Sequence, residues 1–202
     1  MSSEIVDIIR DVVARASEGL VITVPEVLDP ATVPTSFVEV TNPELSYVFG
    51  NARYFKDDLD DKTKAEVTSD RKFPAVCLFA PVKEKRNQED PDTHQLYTKA
   101  NVSLLIACSS VKEWSNEQRE VYSFKHILRP IYDRLMEALE RDHRLYWGYG
   151  RKIPHEYSEN YSYGRYGAYI DTAGNAVSEP IDAINIMNLQ LKVNINNCQR
   201  RR

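Results

Sequence analysis

The sequence predicts an α+β domain: a mostly antiparallel sheet with an N-terminal helix and a long helix packed on one face, and extended loops or arms around it. Three observations predict it. Ile5, Ile8, Ile9, Val12 and Val13 recur at helical spacing and form one apolar stripe. Two strand-like runs follow one another at Phe73–Ala80 and Tyr97–Cys108, the second changing from alternation to a continuous apolar stretch. Phe124, Ile127, Leu128, Ile131, Leu135 and Leu139 then line one face of a longer helix.

The first helix covers about Glu4 to Ser17, with Ser3 as its cap. Glu4 and Asp7 lie near its positive end, Arg15 near its negative end, and Gly19 stops it. Leu20–Val24 reads as a strand ended by Pro25, and Phe37–Val40 and Tyr47–Gly50 as short strands between prolines. The polar stretch from Asn51 to Asp70 is expected to be an exposed extended loop, because it is long and carries Asp57, Asp58, Asp60 and Asp61. Phe73–Pro81 and Tyr97–Cys108 are expected to pair antiparallel, joined by a charged, solvated loop from Lys83 to Gln95.

Ser115-Asn116-Glu117-Gln118 has the form of a capping box and opens the long helix. Pro130 lacks the N–H of a helix interior, so either the helix bends there or a second helix begins there. From Arg144 to Tyr169 periodicity is lost; the Tyr-rich segment of about 144–180 is expected to be an arm. The last strand spans Ala183 to Ile195. Ile184 and Ile186 fall on one parity, and Leu189, Leu191, Val193 and Ile195 on the other. One extra residue near Met187-Asn188 puts both sets on one face, which predicts a bulge.

The chain has 202 residues, 42% of them hydrophobic and 28% charged, which suits one domain with a sizeable core. A net charge of −4 gives no general attraction to nucleic acid or to an anionic membrane. No apolar run approaches a membrane span, and Met1–Glu4 has no basic region before an apolar segment, so neither a span nor a signal peptide is expected. Cys77, Cys108 and Cys198 are far apart and odd in number, which fits reduced thiols rather than a disulfide framework.

Chemical motifs are sparse. None of His94, His126, His143 and His155 has metal-ligand spacing, and His126 is expected at the surface. No nucleophile elbow or phosphate loop is present, and Gly148-x-Gly150 lacks the strand and helix of a nucleotide site. Asp57, Asp58, Asp60 and Asp61 read as a solvated acidic loop; a metal-dependent nuclease or hydrolase on Asp57, Asp58 and Asp60 is the alternative. Of twelve tyrosines, seven lie between Tyr146 and Tyr169. Tyr146, Tyr149, Tyr157, Tyr161, Tyr163, Tyr166 and Tyr169 suit a protein interface, since their rings bury area while the hydroxyls stay bonded. A carbohydrate-binding surface on Tyr157, Tyr161 and Tyr163 is the other reading. Arg200, Arg201 and Arg202 are a solubilising end or partners for a neighbour's carboxylates.

The element order resembles that of the tail-terminator and head–tail joining proteins of tailed bacteriophages, Bacteroides-type phages and the crAss-like group included. The segments carrying the likeness are Ile5–Val13, Lys72–Phe79, Lys99–Ile106, Ser123–Tyr132 and Ile181–Ile186, about half of the chain. The resemblance implies a virion protein made in the bacterial host cytoplasm, without enzymatic activity, cofactor or metal. It implies a ring of identical subunits at the neck or tail, touching the portal or other rings. Phage DNA passes through such a ring without sequence-specific binding, and an acidic wall would let it slide. On this reading the 51–70 and 146–169 segments are ordered by contacts with other chains.

Overall fold

The computed structural model describes residues 3–26, 34, 36–64, 73–91, 94–145, 152–170 and 176–194. Thirteen residues into the chain the expected stripe is already visible: α1 (Ser3–Ala16) buries Ile5, Ile8, Ile9, Val12 and Val13. Gly19 ends this region with a φ of +70°, a backbone region where a side chain is strained, and its N–H donates to the Asn42 side chain. Strands β1 (Val21–Pro25) and β2 (Phe37–Thr41) form a separate antiparallel ribbon whose Ile22 enters the core.

The main sheet contains β3 (Ser46–Gly50), β4 (Ala75–Phe79), β5 (Lys83–Glu89), β6 (Leu96–Ser109), β7 (Glu156–Ile170) and β8 (Ala176–Asn194), in the order β3-β4-β6-β8-β7. Only the β3–β4 pairing is parallel; the others are antiparallel, so the α+β assignment stands. β4 and β5 lie along the same edge of β6, β4 against Leu104–Ala107 and β5 against Leu96–Asn101. The segment expected as a solvated loop is thus mostly a strand. Its charged composition concealed it, but an edge strand needs only backbone pairing on one side.

The long helix begins at the predicted capping box. The Ser115 hydroxyl accepts from the Gln118 N–H, and the Gln118 side chain accepts from the Ser115 N–H. Helix α3 (Asn116–Arg119) continues into wide π-helical turns over Glu120–Leu128, then into α4 (Arg129–Arg141). Pro130 lies in the first turn of α4, where a missing N–H leaves no bond unmade. All six residues of the predicted face are buried, and α1, the π-helical turns and α4 cover the sheet face made by Val102, Leu104, Ile106, Ile184, Ile186 and Leu189.

The other face differs from expectation. Ala52–Lys64, inside the stretch read as an extended loop, is helix α2. Phe55 and Leu59 are buried in a second core with Val48, Cys77, Leu105, Ala107 and Ala183. Helices therefore cover both faces of the sheet rather than one. The bulge in β8 is as predicted: Met187 and Asn188 oppose the single residue Ser103, and Asn188 has a φ of +53°. The tyrosine-rich arm is, over Glu156–Ile170, the edge strand β7.

Candidate functional site

β7 carries Tyr157 and Tyr161 over the long helix. Tyr157 and Tyr161 are four residues apart, so the pleat puts both on one face. The Tyr157 ring meets Tyr132 edge-on at 4.8 Å, and Tyr161 packs on Phe124 at 4.5 Å. Arg129 binds them together electrostatically. Its Nε and Nη2 donate to Glu159 at 2.7 and 2.9 Å, and Nη1 contacts Glu120 at 2.7 Å. The Tyr161 hydroxyl donates to Glu120 and that of Tyr157 to Glu159. Arg129 holds the Glu159 carboxyl below its ordinary range; Tyr161 and then Arg129 do the same for Glu120. Bonding to Glu120, with burial, pushes the Tyr161 hydroxyl up to about 12.

The tyrosines thus face inward as well as outward. Tyr157, Tyr161 and Tyr163 keep 41%, 37% and 39% of their surface exposed, leaving an outer rim for contact. Between Asn160 and Gly164, β7 carries three residues against the single Asp182 of β8, with Ser162 at a φ of +55°. This bulge parts Tyr163 from Tyr161. Burial, and then the Cys77 thiol, raise the Tyr163 hydroxyl. Tyr166 and Tyr169 belong to β7 by backbone pairing, but their side chains lie outside the described residues, as do Tyr146, Tyr149, Arg200, Arg201 and Arg202.

Below the tyrosines is a buried polar cluster that the sequence did not disclose. Arg119 donates to Ser110 Oγ, Asp182 Oδ1 and the Val111 carbonyl at 2.7 Å each, and to the Trp114 carbonyl at 3.3 Å. Asp182 also accepts from Ser123 Oγ at 2.7 Å and from the Ser162 N–H at 2.8 Å. The β7 bulge is what brings that N–H in. Cys108 adjoins the cluster, where burial pushes its thiol well above the ordinary range. With every contact internal, the cluster ties β6, β7 and β8 to the start of the long helix.

Beside α4 a groove of about 310 Å³ is lined by Tyr132, Asp133, Met136, Glu137, Glu140, Lys152, Ile153 and His155. His155 is fully engaged: Nδ1 bonds the Ile153 carbonyl at 2.7 Å and Nε2 bonds the Tyr132 hydroxyl at 2.8 Å. Burial, Asp133 and Glu140 raise the Tyr132 hydroxyl.

Asp57, Asp58, Asp60 and Asp61 sit on α2, not on a loop. A helix turns about 100° per residue, so Asp57 and Asp60 share one side of α2, while Asp58 lies about 100° or more from either. Lys56 pairs with Asp60 at 3.0 Å, Lys62 with Asp58 at 2.8 Å, and Arg53 reaches Asp57 at 3.8 Å. Among the described residues, no group of three or more potential ligands is placed to hold a metal ion. His126, expected at the surface, is half-buried with its ring 6.2 Å from that of Phe37. No helix among the described residues is long and apolar enough to cross a membrane. No family model matches the chain, and no curated protein matches it.

Proposed function

We propose that the chain is a non-enzymatic structural subunit of a bacteriophage virion, one copy of a head–tail connector, neck or tail-terminator ring that extends the portal DNA channel. Its partners on this reading are other copies of itself, the portal or an adjoining ring, and the DNA that passes through. The observation that carries the proposal is the ribbon of β7 and β8. Pairing of β8 with β6 ends at Ser109↔Ile181, whereas pairing of β8 with β7 continues from Gly164↔Ile181 to Ile170↔Ala176. The last bond on that side is Ser110 N–H to the Pro180 carbonyl, so the ribbon runs some four residues past the sheet, roughly 14 Å at strand rise. A two-stranded ribbon is marginal alone in water, and a neighbouring subunit is a natural support for it. The rim of Tyr157, Tyr161 and Tyr163 at its base adds amphipathic contact area.

The test is the assembly state. Light scattering and negative-stain microscopy of the full chain, alone and with the portal protein from the same genome, should show a closed ring or a portal-bound ring. A monomer at all concentrations, with no binding to portal, connector or tail proteins, would refute the proposal.

A further inference from the structure

We propose that the open end of the second sheet face binds the phosphate backbone of nucleic acid through Lys83, Lys85, Lys99 and Lys192. The strand registers place these residues together. Lys85 is opposite Lys99 on β5 and β6, and Lys99 is opposite Lys192 on β6 and β8. Three lysines thus form one row across three strands, about 4.8 Å apart from strand to strand. Lys83 stands in the next row, opposite Asn101, which is opposite Gln190. Ala100 and Val102 of β6 point into the helix-covered core, so the alternating positions Lys99 and Asn101 point to the other face. Lys83 and Lys85 are exposed, and Lys99 and Lys192 half-buried.

Like charges directly opposite in a sheet are destabilising, and here the arrangement occurs twice in succession. Lys192 is partly compensated by its ion pair with Asp90, so the repulsion falls mainly on Lys85 and Lys99. Among the described residues no ion pair joins Lys83, Lys85 or Lys99; Asp90 lies 4.0 Å from Lys192, and Glu156 hydrogen-bonds Asn188 at the border. Glu84, one residue from Lys85, is opposite Ala100 and belongs to the other face. The whole chain carries −4, so this concentration of positive charge is local.

The surroundings favour a polyanion over a protein partner. A protein interface has an apolar centre with a polar rim. Among the described residues this face has lysines at its centre, amides beside them, one aromatic ring, Tyr97, with Lys192 Nζ 4.9 Å from its centroid, and the exposed Met187 at its β7 border. α2 of a second copy is a poor mate, because Asp57, Asp58 and Asp60 are already paired with Arg53, Lys62 and Lys56. A row of flexible ammonium groups with neutral hydrogen-bonding neighbours suits successive phosphates. The inference goes beyond the ring reading and does not need it, since it is measured on the free chain.

The experiment is fluorescence anisotropy of the full chain with labelled single-stranded and duplex DNA of mixed sequence, across about 50–200 mM salt. Four neutralised phosphates give a slope of log K against log salt of about −3.6 on duplex, and about −2.8 on single strands, with no sequence preference. Lys85→Gln, Lys99→Gln and Lys192→Gln together should weaken binding at least about tenfold at the low-salt end and flatten the slope by about 3. The same variant should keep or raise the unfolding midpoint, since it removes cross-strand repulsion. Lys56→Gln with Arg53→Gln on α2 should leave binding unchanged. No binding by the unaltered chain at about 100 µM and low salt overturns the proposal. So does retained binding in the triple variant. Equal binding of an acidic polypeptide with the same salt slope overturns it in favour of a protein partner.

Discussion

Replacing Arg119 by Met removes the cation from the buried cluster while keeping most of the side-chain volume. Arg119 is 3% exposed and Asp182 0%. The change strips Asp182 of its guanidinium donor, leaving only the Ser123 hydroxyl and the Ser162 N–H. It also takes the side-chain donor from the Val111 and Trp114 carbonyls and from Ser110. Breaking a buried pair by removing one partner typically costs about 3–5 kcal/mol, because an uncompensated charge stays buried. Against a total of about 5–15 kcal/mol for a domain, that is a large fraction. It should lower the thermal midpoint by roughly 6–20 °C for a chain of this size. Urea unfolding followed by circular dichroism measures it. Arg119→Met combined with Asp182→Leu should recover most of the loss, since no buried charge remains; the difference gives the coupling between the two positions. A single variant within about 1 kcal/mol of the unaltered chain would refute the reasoning and mean that the cluster is hydrated or open.

Two further predictions concern how helices are held. Burial would raise the Asp142 carboxyl, but hydrogen bonds from Arg144 and the charges of Arg144 and Arg15 outweigh it and lower the pKa to about 2. Its unfolded value is 3.8, so its stabilisation is present above that pH and is lost as pH falls through about 2. About 2 kcal/mol should disappear over this window, and Asp142→Asn should flatten the acid-unfolding profile there. An equal acid slope in both proteins would refute the clamp. Leu59, on the inner face of α2, is fully buried, so Leu59→Ala should cost about 2–5 kcal/mol. In the unaltered free subunit, hydrogen exchange should already show protected amides across 52–64; fast exchange there would mean that α2 needs a neighbouring chain.

The local periodicities are legible without coordinates. The stripe of α1, the capping box at Ser115–Gln118 and the parity change at Met187-Asn188 are regularities within one segment, and each reappears in the fold. Their signals are strong because a helix or strand half-buried in a core must repeat its apolar residues at its own period. α2, β5 and β7 have weaker signals. α2 needs only Phe55 and Leu59 to seat it in the second core, and its described surface is mostly charged. β5 and β7 are held by ladder hydrogen bonds, which any sequence without proline can make, so their charged and tyrosine-rich composition hides them.

The sites are a tertiary product throughout. Arg119 and Asp182 are 63 residues apart, and Arg129 meets Glu159 across 30. Lys85, Lys99 and Lys192 fall into line only when β5, β6 and β8 adopt their register. A slip of one residue in either pairing would turn a whole set of side chains to the opposite face. That register is set by burial of Ala100, Val102, Leu189 and Leu191 against the helices and by the bulge opposite Ser103. The lysines have no part in choosing it, because the apolar side chains they alternate with carry the burial energy.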